Sequence, residues 1–461
     1  MTSTRPSLFR QPDFAKLWSA ATVSLFGTQI SQVAIPVVAV LILKASAFEV
    51  ALVATLEFLP FLLFTLPAGV WVDRLPRRRI LVAGDLGRAV MLATVPVAYF
   101  LDVLTIWQLF AVAFVNGCLT VFFDIADQSY LPTVVERDQL VDANGKLQAS
   151  MSTAQVLGQP VGGGVVGLIA APFALALDAA SYVASALLIF SIRRQERSAT
   201  PSPSAATTAT MESADSPAAG ASVAAEEVAA AAEAPGAGPG AGPGERRPGI
   251  RTEVAEGLRF VLSNRYLRTI APTTGLSNLF SNILFAIYPV YVYRTLGLTP
   301  ELVGVLGGMF GAGALLGAFT AGRVAQQIGI GPAIVGSIAL GGPVMLGVPL
   351  ATHETALLLI GAGGLISGWT NVVYNVNQVS LRQAITPERM LGRMNATMRF
   401  IVWGTIPIGM ILGGAIATLA SATVAVWIGA IGGLFAFLPV FLGPVRSLRV
   451  IPDPEPERAP G

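Results

Sequence analysis

Gly69-Val70-Trp71-Val72-Asp73-Arg74-Leu75-Pro76-Arg77-Arg78-Arg79 is a short charged turn between two long apolar runs. The chain is apolar back to about residue 48 on one side and on to about residue 101 on the other. A run of roughly 20 apolar residues matches the ~30 Å hydrocarbon core of a bilayer. A turn this tight and basic therefore reads as the point where the chain leaves a membrane and re-enters it. Working outward, the same pattern predicts twelve spans at about 17–43, 48–71, 79–101, 104–127, 146–170, 173–192, 267–292, 301–322, 331–351, 355–378, 397–418 and 423–445. Composition agrees: 53% of the 461 residues are hydrophobic, only 12% are charged, and the mean hydropathy is +0.67, against roughly 25% charged in soluble domains.

Charge sets the orientation. With the N-terminus cytoplasmic, twelve crossings return the C-terminus to the same side, and only Lys44 and Arg294 of the 29 Lys and Arg residues then lie outside. Arg74, Arg77 to Arg79, Arg137, Lys146, Arg193, Arg194, Arg382, Arg389, Arg393, Arg446 and Arg449 all fall inside, as the positive-inside rule requires. The apolar stretch from Leu17 is too long for a signal-peptide core and reads as the first span. Cys118, the lone cysteine, excludes a disulfide framework. His353, the one histidine, falls in an external loop.

Four regions follow. Residues 1–194 form a six-span half, 195–248 a disordered Ala/Pro/Gly-rich cytoplasmic linker, 249–446 a second half, and 447–461 a cytoplasmic tail. Such a linker cannot bury enough apolar surface to offset its ordering entropy. The second half opens on an amphipathic surface helix in which Ile250, Val254, Leu258 and Val261 share a face. An offset near 250 residues relates the halves: Asp127-Gln128 to Asn377-Gln378, Asn144 to Asn395, and Gly162-Gly163 to Gly413-Gly414. The fold class expected is an all-α membrane protein of twelve helices in two pseudo-symmetric six-helix bundles, with a binding site between them near the midplane.

Polar residues recur at steps of three and four in four spans: Ser24, Thr28, Ser31 and Gln32; Asn116, Thr120, Asp124 and Asp127; Asn278, Ser281 and Asn282; Asn371, Tyr374, Asn375 and Gln378. Such spacing puts each set on one helix face. Lipid cannot satisfy these groups, whereas a shared water-filled cavity can. Glu57 lies about 24 Å along span two from Asp73, and Asp178 lies two turns inside span six. A carboxylate costs ~2.5–3.5 kcal/mol in a membrane and can shed that cost by taking up a proton, so both are candidates for proton coupling. No Gly-x4-Gly-Lys-Ser/Thr loop is present. One histidine and the lack of a metal-ligand cluster argue against an enzyme, and no cofactor or metal is expected.

The quoted turn, Gly69-x3-Asp73-Arg74-x2-Arg77-Arg78-Arg79, resembles the loop motif of the major facilitator superfamily, with Pro76 where a Gly is usual. The resemblance implies a latch of Gly69, Asp73, Arg74 and Arg77 working with Asp124 and Asp127, and implies that spans one, four, seven and ten line the cavity. Gln159-Pro160-Val161-Gly162-Gly163-Gly164 resembles the family's efflux-associated motif, carried by Pro160, Gly163 and Gly164, with Gln159 in place of its first Gly. Phe9-Arg10-x3-Phe14-x2-Leu17-Trp18 and the surface helix resemble the drug and siderophore efflux branch, which includes macrolide and enterobactin exporters. The function implied is a monomeric, proton-coupled exporter of amphipathic small molecules in the bacterial inner membrane. An importer or facilitator of a polar metabolite, or a non-transporting receptor, is the alternative.

Overall fold

The computed structural model describes residues 8–72, 74–136, 139–193, 250–450 and 452. Asp73, Arg137, Arg194, the expected linker and most of the expected tail lie outside these residues. The described residues are helical throughout, without strands. The N-terminal half comprises Pro12–Val37, Ala47–Val72, Arg77–Phe100, Ile106–Val134, Leu140–Ile169 and Ala171–Phe190, spans one to six. The surface helix is Ile250–Ser263. Spans seven to nine are Leu267–Val290, Pro300–Ile328 and Ile330–Leu350. Spans ten to twelve are Leu357–Ile385, Glu388–Leu419 and Ala422–Leu442. Eleven of these helices are apolar enough to cross a membrane on composition alone. The other, span five, carries Gln155, Gln159 and a glycine run and packs between spans one and eight.

Several spans overrun their predicted limits at the arginine-rich end: span four continues to Val134, span eight to Ile328 and span ten to Ile385, while span five starts at Leu140 and span eleven at Glu388. Hydropathy falls where a helix leaves hydrocarbon, but the backbone hydrogen bonds continue into the polar zone. That end is also tied together by arginine. Arg78 donates to the carbonyl of Phe190 and covers its ring at 5.2 Å, capping span six with a cation. Arg393 of span eleven pairs with Glu256 of the surface helix at 2.5 Å.

The duplication is visible in backbone detail. Pro36 in span one and Pro289 in span seven each precede a π-helical turn, Val38–Ile42 and Tyr291–Thr295. Proline removes an N–H from the ladder and crowds the preceding turn, and a π turn is a local way to accommodate the break. Each segment then reaches a left-handed residue eight positions after its proline, Lys44 at φ 52° and Gly297 at φ 65°. The two π turns meet, Arg294 Nη2 donating to the Val40 carbonyl at 2.7 Å.

The paired glycines behave equivalently as well. A Cβ on Gly162 would lie 3.0 Å from the Ile30 Cα of span one, and one on Gly413 would lie 3.1 Å from the Ile283 Cα of span seven. Their neighbours face across the halves: a Cβ on Gly163 would lie 3.0 Å from the Gly304 Cα of span eight, and one on Gly414 would lie 3.2 Å from the Phe48 Cα of span two. Gly164 has open space at its Cβ position, and Pro160 packs against Gly308. Farther along span eight, Gly313 and Gly317 admit the backbone of span ten. The contacts of Gly163 with Gly304, Pro160 with Gly308 and Gly414 with Phe48 join the halves at the end away from the basic turn.

Candidate functional site

The interior of the N-terminal half is built around one cation. Asp85 and Arg88 stand one turn apart on span three, hence on one face, with Arg88 Nη2 2.5 Å from Asp85 Oδ1. They are 0% and 5% exposed. The guanidinium lies between two rings, Phe123 of span four at 4.1 Å and Tyr182 of span six at 4.4 Å. A flat, weakly hydrated cation suits this slot, which a lysine ammonium would fill poorly. Asp124 and Asp127 of span four interact electrostatically with Arg88.

Span six adds Asp178, 0% exposed. Its carboxylate accepts hydrogen bonds from Ser31 Oγ of span one and, at 3.0 Å, from Ser181 Oγ. Gly27 makes this approach possible, since a Cβ there would come within 2.8 Å of the Ser181 Cβ. Thr28 Oγ1 and Tyr182 Oη share a hydrogen bond of 2.8 Å. Spans one, three, four and six thus converge on four aspartates, one arginine and a set of hydroxyls. Removing a single buried partner from such a set is costly.

The other predicted residues are distributed differently. Glu57 of span two is exposed and stands apart from the aspartates, where span two meets span eleven; its neighbour Phe58 lies 5.9 Å from the ring of Trp403, which Arg399 covers at 4.5 Å. Gln32 is exposed and accepts from Gln159 Nε2 at 3.4 Å. Asn116 is half-buried, and its Oδ1 is shielded with no hydrogen-bond partner. Asn278 donates to the Val402 carbonyl at 3.4 Å and Asn282 to the Asn278 carbonyl at 2.8 Å. Asn371 is exposed and accepts at Oδ1 from Asn375 Nδ2, 3.2 Å. Tyr374 is buried, its Oη 2.6 Å from Thr274 Oγ1 of span seven.

The four stripes therefore do not form one continuous lining. Thr28 and Tyr374 turn into seams within their own halves, where a hydroxyl on the next helix satisfies them as well as water would. Gln32, Glu57 and Asn371 are the accessible groups. At the basic turn, Gly69 has open space, Arg74 is exposed, and Arg77 begins span three. Asp73, the centre of the expected latch, is outside the described residues. Trp71 stacks on Phe122 at 5.9 Å, fixing the end of span two against span four. Because span four runs to Val134, Asp124 and Asp127 sit well inside the helix rather than at its end, and Arg88 is a cation that faces them.

Asp85 and Arg88 escaped the sequence reading because two charges among Ala, Val and Leu hardly lower the hydropathy of a 24-residue helix. Their signal was an acid and a base at i, i+3 inside an apolar span, the spacing of a self-compensating pair.

Comparison with known proteins follows this architecture half by half. Residues 3–215 match the family model described as transmembrane secretion effector, and residues 270–460 match that of the Major Facilitator Superfamily. The chain belongs to the major facilitator superfamily. Among relatives of this superfamily, the multidrug efflux pump Tap of Mycobacterium tuberculosis is 26% identical over 421 residues, 88% of this chain and 86% of Tap. Macrolide efflux protein A of Streptococcus pyogenes is 28% identical over 148 residues, 32% of this chain and 36% of that protein. Among solved structures, a bacterial homologue of the iron transporter ferroportin in an inward-facing state has a TM-score of 0.67 at 13% identity, covering 95% of this chain and 99% of that one. The nucleoside transporter NupG has a TM-score of 0.64 at 12% identity, covering 95% and 98%. Likeness at this identity extends to the fold alone. The protein is a multi-pass membrane transporter of the major facilitator type.

Proposed function

We propose that this transporter exports amphipathic small molecules, such as antibiotics, other drug-like compounds or siderophores, by alternating access in exchange for protons. The observation that carries the proposal is the set of Asp85, Arg88 and Asp178, all buried, with Asp124 and Asp127 half-buried beside them, because carboxylates kept inside a bilayer at this cost act as proton carriers more readily than as struts. Relationship over most of the chain's length to a multidrug efflux pump supports the direction of transport. The gradients suffice: one pH unit supplies ~1.36 kcal/mol per proton and 100 mV supplies ~2.3 kcal/mol per charge.

With the arginine-rich end in the cytoplasm, the contacts Arg294 to Val40, Gly163 to Gly304 and Gly414 to Phe48 close the outer end, as in an inward-facing state. In this scheme a substrate entering between the halves meets Gln32, Glu57 and Asn371, and a proton exchanged at Asp178 alters the packing of span six on span one through Ser31. Gly69, Asp73, Arg74 and Arg77 hold the inner end shut in the opposite state.

The test is substrate-induced proton movement in proteoliposomes containing a pH dye, over a panel of macrolides, dyes and siderophores. Wild-type protein is expected to move protons with substrate. Asp178→Asn should cut proton movement at least tenfold while substrate binding survives, and Glu57→Gln should weaken binding more than proton movement. Substrate flux without proton movement in the wild type would end the antiport reading.

A further inference from the structure

Two leucines of the surface helix Ile250–Ser263 are left uncovered by the bundle. The face turned to the protein is tight: a Cβ on Gly257 would lie 2.8 Å from the Arg393 carbonyl of span eleven, and Val261 and Asn264, at further steps of four and three, are buried. Leu258 and Leu262, one turn apart on one flank of that face, are 42% and 59% exposed. The remaining sector carries Glu256, which is held by Arg393, and the exposed Arg259 and Ser263.

The helix lies in the plane of the membrane. Spans seven and eleven run side by side in the same direction, Gly275 beside Ile401 and Gly413 beside Ile283, so Leu267 at the start of span seven is roughly level with Arg393 on the common rise per residue. Gly257 touches Arg393, and therefore shares the depth of Leu267 although nine residues stand between the two. Asn264 fixes the corner, its Oδ1 accepting from the backbone N–H groups of Tyr266 and Leu267 at 3.0 and 3.1 Å. Span seven with its π turn has 29 residues, about 43 Å long, the thickness of a bilayer with both headgroup layers, which puts the corner at headgroup depth. With one face on protein, a helix in that plane turns one flank toward hydrocarbon and the other toward water. The leucines occupy one flank, and Glu256, Arg259 and Ser263 the other.

We propose that the surface helix docks on anionic lipids of the leaflet at the arginine-rich end, with Leu258 and Leu262 entering the acyl boundary and Arg259, Arg265 and Arg268, all exposed around this corner, holding lipid phosphates. A charged helix with a small apolar flank binds a membrane surface in this way, and a guanidinium suits phosphate oxygens. The pair of Glu256 with Arg393 then ties the leaflet to span eleven, which packs on span two across the seam between the halves.

Two measurements on the full-length protein in nanodiscs test the proposal. In hydrogen exchange, amides of residues 250–263 should exchange on the order of tenfold more slowly in discs containing phosphatidylglycerol than in discs of phosphatidylcholine alone. The Arg259→Gln/Arg268→Gln variant, changed only at exposed positions, should keep the wild-type melting temperature and lose that difference, at about fivefold for each arginine. In the second measurement, spin labels are placed singly at Leu262→Cys and Ser263→Cys in a Cys118→Ala background, with phosphatidylglycerol present. The label at 262 should be relaxed by oxygen from the lipid phase, and the label at 263 by a water-soluble nickel chelate. Equal exchange in the two lipids for folded wild-type protein overturns the proposal. So does a label at 262 that meets the nickel chelate as freely as the label at 263, which would give the leucines to a soluble partner. Neither measurement depends on transport, so failure of the antiport reading would leave this one standing.

Discussion

The two halves share a scaffold but not an interior. Each has a proline followed by a π turn, each turns at a left-handed residue eight positions later, and each sends one glycine inward and the next across to the other half. Yet the N-terminal half holds Asp85, Asp124, Asp127 and Asp178 around Arg88, whereas beyond the first turn of spans seven to twelve there is no Asp or Glu. Asn377 stands where Asp127 stands and is satisfied by carbonyls, Val373 at 2.8 Å and Ala321 at 3.4 Å. These backbone devices are common property, while carboxylates inside the spans are confined to one side. In the proposed exchange the proton sites therefore lie in the N-terminal half, while amide and hydroxyl contacts dominate the interior of the other.

The sharpest way to break this comparison is to remove the cation. Arg88→Met leaves buried carboxylates uncompensated and should cost about 3–5 kcal/mol, read as a lowered unfolding midpoint in detergent, with partial recovery in the Arg88→Met/Asp85→Leu double variant. Wild-type stability in Arg88→Met would mean that the aspartates do not depend on the arginine. Next in size, Asn377→Asp imposes the N-terminal pattern on the C-terminal half. An acceptor would then face the carbonyls of Val373 and Ala321, for an expected loss of about 1–3 kcal/mol; stability equal to wild type would show that half already able to house a carboxylate.

The smallest effect comes from the matched hydroxyls. Thr28→Val and Thr274→Val each remove one hydrogen bond to a tyrosine, Tyr182 or Tyr374, and each should cost about 0.5–1.5 kcal/mol. Only Thr28→Val should also change substrate-driven proton movement, because Tyr182 is stacked on Arg88. Equal transport phenotypes for the two would erase the distinction between the halves.

Much of the scaffold was legible because length and hydropathy are direct consequences of a bilayer. The glycine pairs at 162–163 and 413–414 kept their register across the repeat and proved equivalent in packing. Span ends were less legible: span four was expected to stop at Asp127 and continues to Val134, since helical hydrogen bonding does not end where apolar residues do. For the site, periodicity correctly placed polar residues on common faces, but a face does not declare its neighbour. Thr28 meets Tyr182 and Tyr374 meets Thr274, contacts between helices that no spacing within one helix encodes. Asp85 and Arg88 were hidden because their charges cancel in the net charge and two charged residues are diluted in a 24-residue apolar helix.

The place where Gly163 meets Gly304 has a mechanical consequence. It lies near one end of span five, and the helix continues for 23 residues from there back to Leu140, about 35 Å at 1.5 Å per residue. Two backbones in contact without side chains between them form a fulcrum of short radius with a long arm beyond it. A tilt of ~10° about that fulcrum would sweep the far tip through ~6 Å on this geometry, roughly the width of a small organic molecule, with only a slight adjustment at the contact itself. The turns that overrun the hydrocarbon at the arginine-rich end lengthen the arm, so the same features that blurred the span boundaries enlarge the stroke.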